Sequence, residues 1–325
     1  MGQALHDPKT GYYARRIQAV GHRGDFTTAP MLSDAPARAI AAWANQALRE
    51  TGCRNLIEIG PGEGKLAAAV RKHLPWWLRW RIRLHLVETS QPLAARQREL
   101  LGRTATWHRT MADAVNACDG NAVIFSNELV DAFPVRRFRK TTAGWQELAI
   151  HFDDQKRACE SLLPPAPLPD SSGFLDTHPL GQWIEVHDSY HRWIHRWMPL
   201  WKSGQMLTID YGATAENLYH RRPNGSIRAY LMQQRLEGLE IYANQGRQDL
   251  TADVNFTDLM RWSQSWIGEQ KLMNLSEFIA DKVQPNQIDR DLAEPLGAGG
   301  AFLALIQKCG SADSSPKVIP FSLIN

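Results

Sequence analysis

Asn55-Leu-Ile-Glu-Ile-Gly-Pro-Gly-Glu-Gly-Lys-Leu66 is the stretch on which the fold turns. An apolar run ends in three alternating glycines, Gly60, Gly62 and Gly64, and a helix-like segment follows at once. A second apolar run, Leu84-His-Leu-Val87, ends in the carboxylate Glu88, 28 residues beyond Gly60. Strand, glycine turn, helix and a second strand closed by an acid make the ground plan of a nucleoside-binding α/β unit. Glycine admits backbone conformations that a side chain blocks, and an acid at the second strand end can bond ribose hydroxyls.

Outward from this unit the same alternation continues. Residues 34–50 are alanine-rich and predict a helix, with Asp34 and Pro36 at its start and Gly52 after its end. Strands are predicted at 56–59, 82–87 and 122–125, and helices at 65–73 and 91–101. Short apolar strands alternating with helices imply a parallel, doubly wound sheet. Residues 145–152 predict a further, antiparallel strand, and the proline-rich stretch 163–173 an irregular loop. Trp183, Val186, Tyr190, Ile194, Trp197 and Trp201 recur at helical spacing and predict one amphipathic helix. A strand at 206–209 then runs into Asp210-Tyr-Gly212. Residues 213–253 are polar and resist assignment. Helices follow at 256–267 and 275–283, with a last strand at 302–306.

This predicts an α/β fold whose Rossmann-like sheet is mostly parallel with an antiparallel strand, plus an inserted, mainly helical cap. Residues 1–54 are expected to contribute to a site rim. Residues 55–212 form the core with an insertion at about 153–202, and 213–310 a substrate region returning to the sheet. Residues 311–325 form a tail.

At 325 residues and 43% hydrophobic composition the chain can bury a substantial core. A net charge of +3 and a pI near 8.7 are too mild for a nucleic-acid footprint. Cys53, Cys118, Cys159 and Cys309 include no C-x-x-C pair, which argues against a zinc site or a disulfide framework and suits a reducing compartment. No apolar run approaches the roughly 20 residues that span a bilayer. The N-terminus has neither signal nor transit character, and His6 stands where a myristoylation start wants Ser or Thr. A soluble, cytoplasmic protein without membrane insertion is expected.

The glycine loop fails two phosphate-binding spacings. In G-x-G-x-x-G the third glycine position is Lys65; in G-x-x-x-x-G-K-[ST] the first glycine falls at Ile59 and Leu66 replaces the hydroxyl residue. The form Glu58-x-Gly60-x-Gly62-x-Gly64 instead resembles the first motif of class I S-adenosylmethionine-dependent methyltransferases.

Asn127, Glu128 and Asp131 follow the strand at 122–125, at the carboxyl edge where open α/β sheets bind ligands. Asp210 ends another strand. The plainer roles are a turn cap for Asp131 and a hydrogen bond to the following turn for Asp210. Arg136-Arg-Phe-Arg-Lys140 reads either as a solvated strand face or as an RNA-contacting run. His187, His191 and His195 read as surface or half-buried residues, with no metal expected. The tryptophan stripe reads as core packing of a cap helix, or else as a grip for a partner protein.

Seven ordered motifs together resemble a narrower family, the MidA-like methyltransferases, which include the mitochondrial arginine methyltransferase of respiratory complex I assembly. They are Asp7-Pro-Lys-Thr-Gly-Tyr-Tyr13, Gly24-Asp-Phe-Thr-Thr-Ala-Pro30, Ile57-Glu-Ile-Gly-Pro-Gly-Glu-Gly64, Asn127-Glu-Leu-Val-Asp-Ala-Phe-Pro-Val135, Ile209-Asp-Tyr-Gly212, Arg228-Ala-Tyr230 and Asp249-Leu-Thr-Ala-Asp-Val-Asn-Phe256. The resemblance implies S-adenosyl-L-methionine as cofactor, held by Glu58, Gly60, Pro61, Gly62, Gly64, Glu88 and Asn127. It also implies a rim from Gly24, Asp25 and Thr27, residues that serve equally as turn formers. Glu128, Asp131 and Asp210 are then the candidate catalytic acids, and the acceptor an arginine of a protein substrate, with a respiratory-complex subunit among the candidates. Met31, Gln233, Asp253 and Asn255 depart from the family pattern. They motivate a second reading, a non-catalytic assembly factor; a methyltransferase acting on RNA or a small molecule is a third.

Overall fold

The structure, a computed structural model, describes residues 1–7, 9–15, 34–155, 157–232, 234–283 and 301–310. Two short helices, α1 (Gly2–His6) and α2 (Tyr12–Arg15), precede the long helix α3 (Ala35–Thr51). The nucleotide-type unit follows as β1 (Asn55–Ile59), α4 (Lys65–His73), α5 (Trp76–Arg79), β2 (Arg83–Val87), α6 (Gln91–Leu101), β3 (Ala105–His108), α7 (Met111–Ala117) and β4 (Val123–Asn127).

All five residues of β1 are buried, as a strand covered on both faces requires. Its alternate residues feed two cores. Leu56, with Leu86, Phe125 and Ile209, packs under α3 and α4, where the alanines of α3 let the helix lie close to the sheet. Ile57 and Ile59 pack on the opposite face with Val115 of α7, Ile124 and Phe256. A buried polar chain crosses three strands within this apolar setting. The Asn55 side-chain amide donates to the Asn121 carbonyl at 2.9 Å, which leaves Asn55 Oδ1 to accept from His85 Nε2 at 3.3 Å. His85 Nδ1 then accepts from His108 Nε2 at 3.0 Å.

The insertion after β4 is built of strands, which overturns the expectation of a mainly helical cap. β5 (Arg136–Thr141), β6 (Gly144–Phe152), β7 (Ala158–Leu162) and β8 (Trp183–Val186) form an antiparallel sheet in the order β7-β6-β5-β8. The stripe from Trp183 to Trp201 is therefore not one helix. Trp183 and Val186 pair with Arg139 and Arg136 of β5, and only then does α8 (Asp188–Ile194) begin. Sheet pairing overrides local periodicity here. Tyr190, Ile194, Trp197 and Trp201 are nonetheless buried.

The chain returns through β9 (Gln205–Ala213) and α9 (Ala215–Arg221). The polar region resolves into a small antiparallel sheet of β10 (Arg228–Leu231), β11 (Gln234–Leu236) and β12 (Asp249–Thr251), in the order β11-β10-β12. Leu5 and Tyr12 of the N-terminal helices pack with Leu250 of this sheet and Leu93 of α6. β13 (Val254–Asn255) pairs with β9 and leads into α10 (Phe256–Ser263). The predicted helix 256–267 stops there, because Ile267 opens an unforeseen strand, β14 (Ile267–Asn274). α11 (Leu275–Lys282) and β15 (Phe302–Cys309) complete the described chain.

The main sheet runs β14-β15-β9-β4-β1-β2-β3, parallel except for β15, which is antiparallel to both neighbours. From β1 the chain moves outward to β2 and β3; from β4 it moves the opposite way to β9. The strand order thus reverses between β1 and β4, and a crevice for a ligand opens at their carboxyl ends.

Candidate active site

The loop after β1 takes three left-handed residues, Gly60 (φ 63), Gly62 (φ 54) and Gly64 (φ 80), a conformation unfavourable to side-chain-bearing residues. It is fastened to β2 by the Gly60 N–H, which donates to the Val87 carbonyl at 3.0 Å. A Cβ on Gly60 would lie 2.8 Å from Leu129 Cδ1, so this loop touches the turn after β4. A Cβ on Gly62 would meet nothing within 4 Å; the crevice is open there.

Glu88 lies beside the loop. Its Oε1 accepts from the Ser90 N–H at 2.7 Å and its Oε2 from Gln97 Nε2 at 3.3 Å. Gln97 was not singled out in the sequence, yet it ties the two predicted cofactor elements together. Its Nε2 also donates to the Gly62 carbonyl at 2.7 Å, while its Oε1 accepts from Trp107 Nε1 at 3.0 Å. The signal that could have found it is a polar residue inside the buried stripe Leu93, Ala94, Gln97, Leu101 of α6.

Glu58, one residue inside β1, is fully enclosed. Burial, with Glu88 nearby adding to it, pushes its carboxyl up to about 8, against the opposing Ala67 backbone N–H. Its Oε2 is buried and has no partner among the described residues.

The turn after β4 is strained and tightly held. Glu128 has φ 51, its N–H donates to the Ile209 carbonyl at 2.9 Å, and Asn127 Nδ2 donates to Glu128 Oε1 at 3.0 Å. Asn127 Oδ1 is buried and unpartnered among the described residues. Asp210 makes the turn hydrogen bonds that were the plainer of its two expected roles. It is 0% exposed; its Oδ2 accepts from the N–H groups of Leu129 (3.1 Å), Val130 (2.8 Å) and Asp131 (3.4 Å), and its Oδ1 from Tyr211 N–H (3.0 Å). It fixes the turn that bears Asn127 and Glu128. Asp131 is also buried, and its Oδ2 accepts from Thr251 Oγ1 at 2.7 Å. Burial raises the pKa of both acids, and at Asp210 the charge of Asp131 adds to it. Tyr13 brings the N-terminal helices to the same place. Its carbonyl accepts from Ser90 Oγ at 2.8 Å and its hydroxyl donates to Asp249 at 3.2 Å.

Two family departures have structural duties. Asp253 pairs with Arg228 at 2.5 Å and Arg222 at 3.0 Å, and Asn255 Oδ1 caps α10 by accepting from the Thr257 and Asp258 N–H groups. Met31 and Gln233, like Gly24, Asp25 and Thr27 of the expected rim, lie outside the described residues.

The basic run on β5 is less solvated than expected. Arg136 grips Glu147 through two bonds, of 2.8 and 2.6 Å, and Arg137 reaches Glu185 at 3.2 Å and the Tyr242 hydroxyl at 2.9 Å. His187 is buried, contrary to the expectation, while His191 stacks on Trp262 and His195 meets Trp266 edge-on, seating α8 against the end of α10.

The residues present fit a nucleoside cofactor with an amino-acid arm. The loop leaves space at Gly62, an acid stands at the end of β2, and Glu58 Oε2 and Asn127 Oδ1 are buried polar atoms without a partner among the described residues. No three His, Cys, Asp or Glu among the described residues cluster so as to hold a metal.

A family model described as "Putative S-adenosyl-L-methionine-dependent methyltransferase" matches residues 39–272. The "Protein arginine methyltransferase NDUFAF7 homolog, mitochondrial" of Caenorhabditis elegans is 26% identical over 98% of this chain and 76% of its own length. Its Mus musculus counterpart is 27% identical over 81% of this chain; the match spans only 65% of the mouse protein. Among solved structures, a Burkholderia thailandensis protein bound to S-adenosyl-homocysteine superposes with a TM-score of 0.81 at 24% identity, covering 94% of this chain and 86% of that one. A second, native crystal structure from the same organism gives 0.79 at 25% identity, covering 94% and 85%. With its sheet, its glycine loop and residues 39–272 all matched, the chain belongs to this family of methyltransferases, is of the MidA-like class I type, and uses S-adenosyl-L-methionine as its cofactor.

Proposed function

We propose that the chain methylates an arginine side chain of a partner protein, and that Glu128 binds the acceptor. The observation that carries this reading is the turn after β4. There a carboxylate on a left-handed residue is steered by Asn127 and anchored by Asp210, against the cofactor loop. Backbone strain of this kind gathers at sites where function sets the geometry. The curated relatives, named as protein arginine methyltransferases and 26–27% identical, support the same acceptor.

A guanidinium has a pKa above about 12 and is a poor nucleophile. Glu128 accepts N–H bonds from it, fixes its plane and concentrates lone-pair density on the nitrogen left free. When bound, the cofactor supplies a methyl group on a sulfonium: the C–S pair returns to sulfur as nitrogen bonds carbon, and nitrogen releases one proton. Everything else the protein contributes is alignment, which can supply much of the rate. Gly60, Pro61, Gly62, Gly64, Glu58, Glu88 and Asn127 hold the donor side, while Asp210 and the buried Asp131 keep the acceptor turn rigid.

Tritiated methyl transfer into a lysate of the host tests this, with a respiratory-complex subunit as the first purified acceptor to assay. Label recovered as methylarginine after protein hydrolysis is expected, and label confined to RNA or small molecules overturns the arginine reading. Glu128→Gln keeps cofactor affinity and lowers transfer by about a hundredfold or more. Undiminished transfer by that variant removes Glu128 from the mechanism.

A further inference from the structure

At the sheet rim opposite the cofactor crevice, the chain between α4 and β2 reads Arg71-Lys-His-Leu-Pro-Trp-Trp-Leu-Arg-Trp-Arg-Ile-Arg83. Leu78 turns inward, while Trp76 and Trp80 stand 73% and 85% exposed and Trp77 37%. Lys72, Arg81 and Arg83 around them are exposed as well. Arg54 and Arg103, also exposed, extend this set along the amino-terminal ends of β1 and β3. The Arg54 carbonyl accepts from the Arg83 N–H at 2.8 Å, and Arg103 lies two residues before Ala105, the partner of Leu84. None of these five cations makes an ion pair among the described residues. From Lys65 through Val87 there is no Asp or Glu, and no Ser, Thr, Asn or Gln either.

This composition is selective. Large apolar side chains held in water mark an interaction site. Tryptophan, with an apolar ring and one N–H donor, favours the headgroup level of a bilayer. Unpaired cations around it are drawn to anionic lipid. A nucleic-acid surface would be expected to add hydroxyl and amide side chains for phosphate and base contacts, and the stretch has none. We propose that this turn docks the enzyme on the surface of an anionic phospholipid bilayer. Trp76 and Trp80 enter the headgroup layer, and Lys72, Arg54, Arg81, Arg83 and Arg103 lie over the phosphates. The attachment is peripheral, since no helix among the described residues is long and apolar enough to cross a membrane. The cofactor crevice, at the carboxyl ends of the same strands, faces away from the lipid and stays open to a protein acceptor.

Co-sedimentation of the full chain with vesicles tests the proposal. Binding is expected to phosphatidylcholine vesicles containing phosphatidylglycerol, to weaken as salt is added, and to be absent from phosphatidylcholine alone. Trp76→Ser/Trp80→Ser and, separately, Arg81→Glu/Arg83→Glu should each weaken binding about tenfold or more. Melting temperature and cofactor affinity should stay unchanged, because these side chains are exposed and distant from the crevice. No binding to anionic vesicles overturns the proposal. Unaltered binding by both double variants, or RNA homopolymer binding with vesicles ignored, overturns it equally.

Discussion

Gln97 uses one side-chain amide on three partners: the glycine loop, Glu88 and the Trp107 indole. Gln97→Leu keeps the volume and strands all three, at a cost of about 1–3 kcal/mol for the buried groups left unmet. Calorimetry should therefore record cofactor affinity weakened by about tenfold or more, together with a lower melting temperature. Gly62→Arg should abolish binding outright, since the space at this position is where the loop makes room for a ligand. Glu58 gives a pH-dependent expectation. Burial holds its carboxyl protonated up to about 8, against 4.5 for a free glutamate. The folded state thus binds more protons than the unfolded chain in that window, and Glu58 lowers stability as pH climbs through it. A cofactor carrying a sulfonium and an ammonium favours the ionised form. Binding near pH 7 should release a proton, measured by calorimetry in buffers of different ionisation enthalpy, and Glu58→Gln should abolish that release. Glu58 entered through the motif resemblance, while the glycine turn and the place of Glu88 at a strand end were legible from spacing. Gln97 was not, because a lone polar residue on a helix looks solvent-facing until its stripe is known to be buried.

At the scale of elements, the fold was readable where burial is two-sided. β1, β2, β4 and β9 are apolar runs with little polar interruption, and each was anticipated. Along the main sheet's path from β14 to β3, the strands that escaped notice, β3 and β14, are its two edges. Their half-buried pattern, with Glu269, Gln270 and Lys271 within β14, lacks a continuous apolar signal. The insertion misled for a related reason: residues 183–201 carry a helical period in a segment whose first part pairs with β5. Asp210 shows how the end of one strand fixes the turn after its neighbour. Asp210→Asn places an N–H₂ group against N–H donors whichever way the amide lies, those of Leu129, Val130 and Asp131 in one orientation and that of Tyr211 in the other, and should cost about 2–3 kcal/mol. Thermal denaturation should reveal that loss. Cofactor affinity should persist while transfer falls; an unchanged melting temperature would contradict the anchoring role.

Across the whole molecule, the neutral histidine chain inside the sheet sets an acid limit. Burial first, then His108 and Arg83, lower the pKa of His85 to about 4, and burial lowers that of His187 to about 4, each against 6.5 for a free histidine. Between those values the unfolded chain takes up protons that the fold refuses, so stability falls as pH drops from 6.5 towards 4. Melting curves should show this slope, and His85→Gln should flatten it. The sequence could not announce the network, since its members sit on three strands and become neighbours only through sheet pairing. The same is true of Tyr13 and Asp249, which the chain separates by 236 positions and the fold joins at 3.2 Å.

The 2.8 Å separation between a virtual Gly60 Cβ and Leu129 has a thermodynamic corollary. The glycine loop and the turn after β4 lie side by side, so under the proposed function an acceptor that shifts Leu129 bears on the loop. Occupancy of one pocket then enters the binding equilibrium of the other, and by linkage the two ligands change each other's affinity by the same factor. Leu129→Ala opens a gap at this contact and should bring that factor toward one. Acceptor-peptide affinity with and without S-adenosyl-homocysteine, measured in both proteins, reads the difference directly.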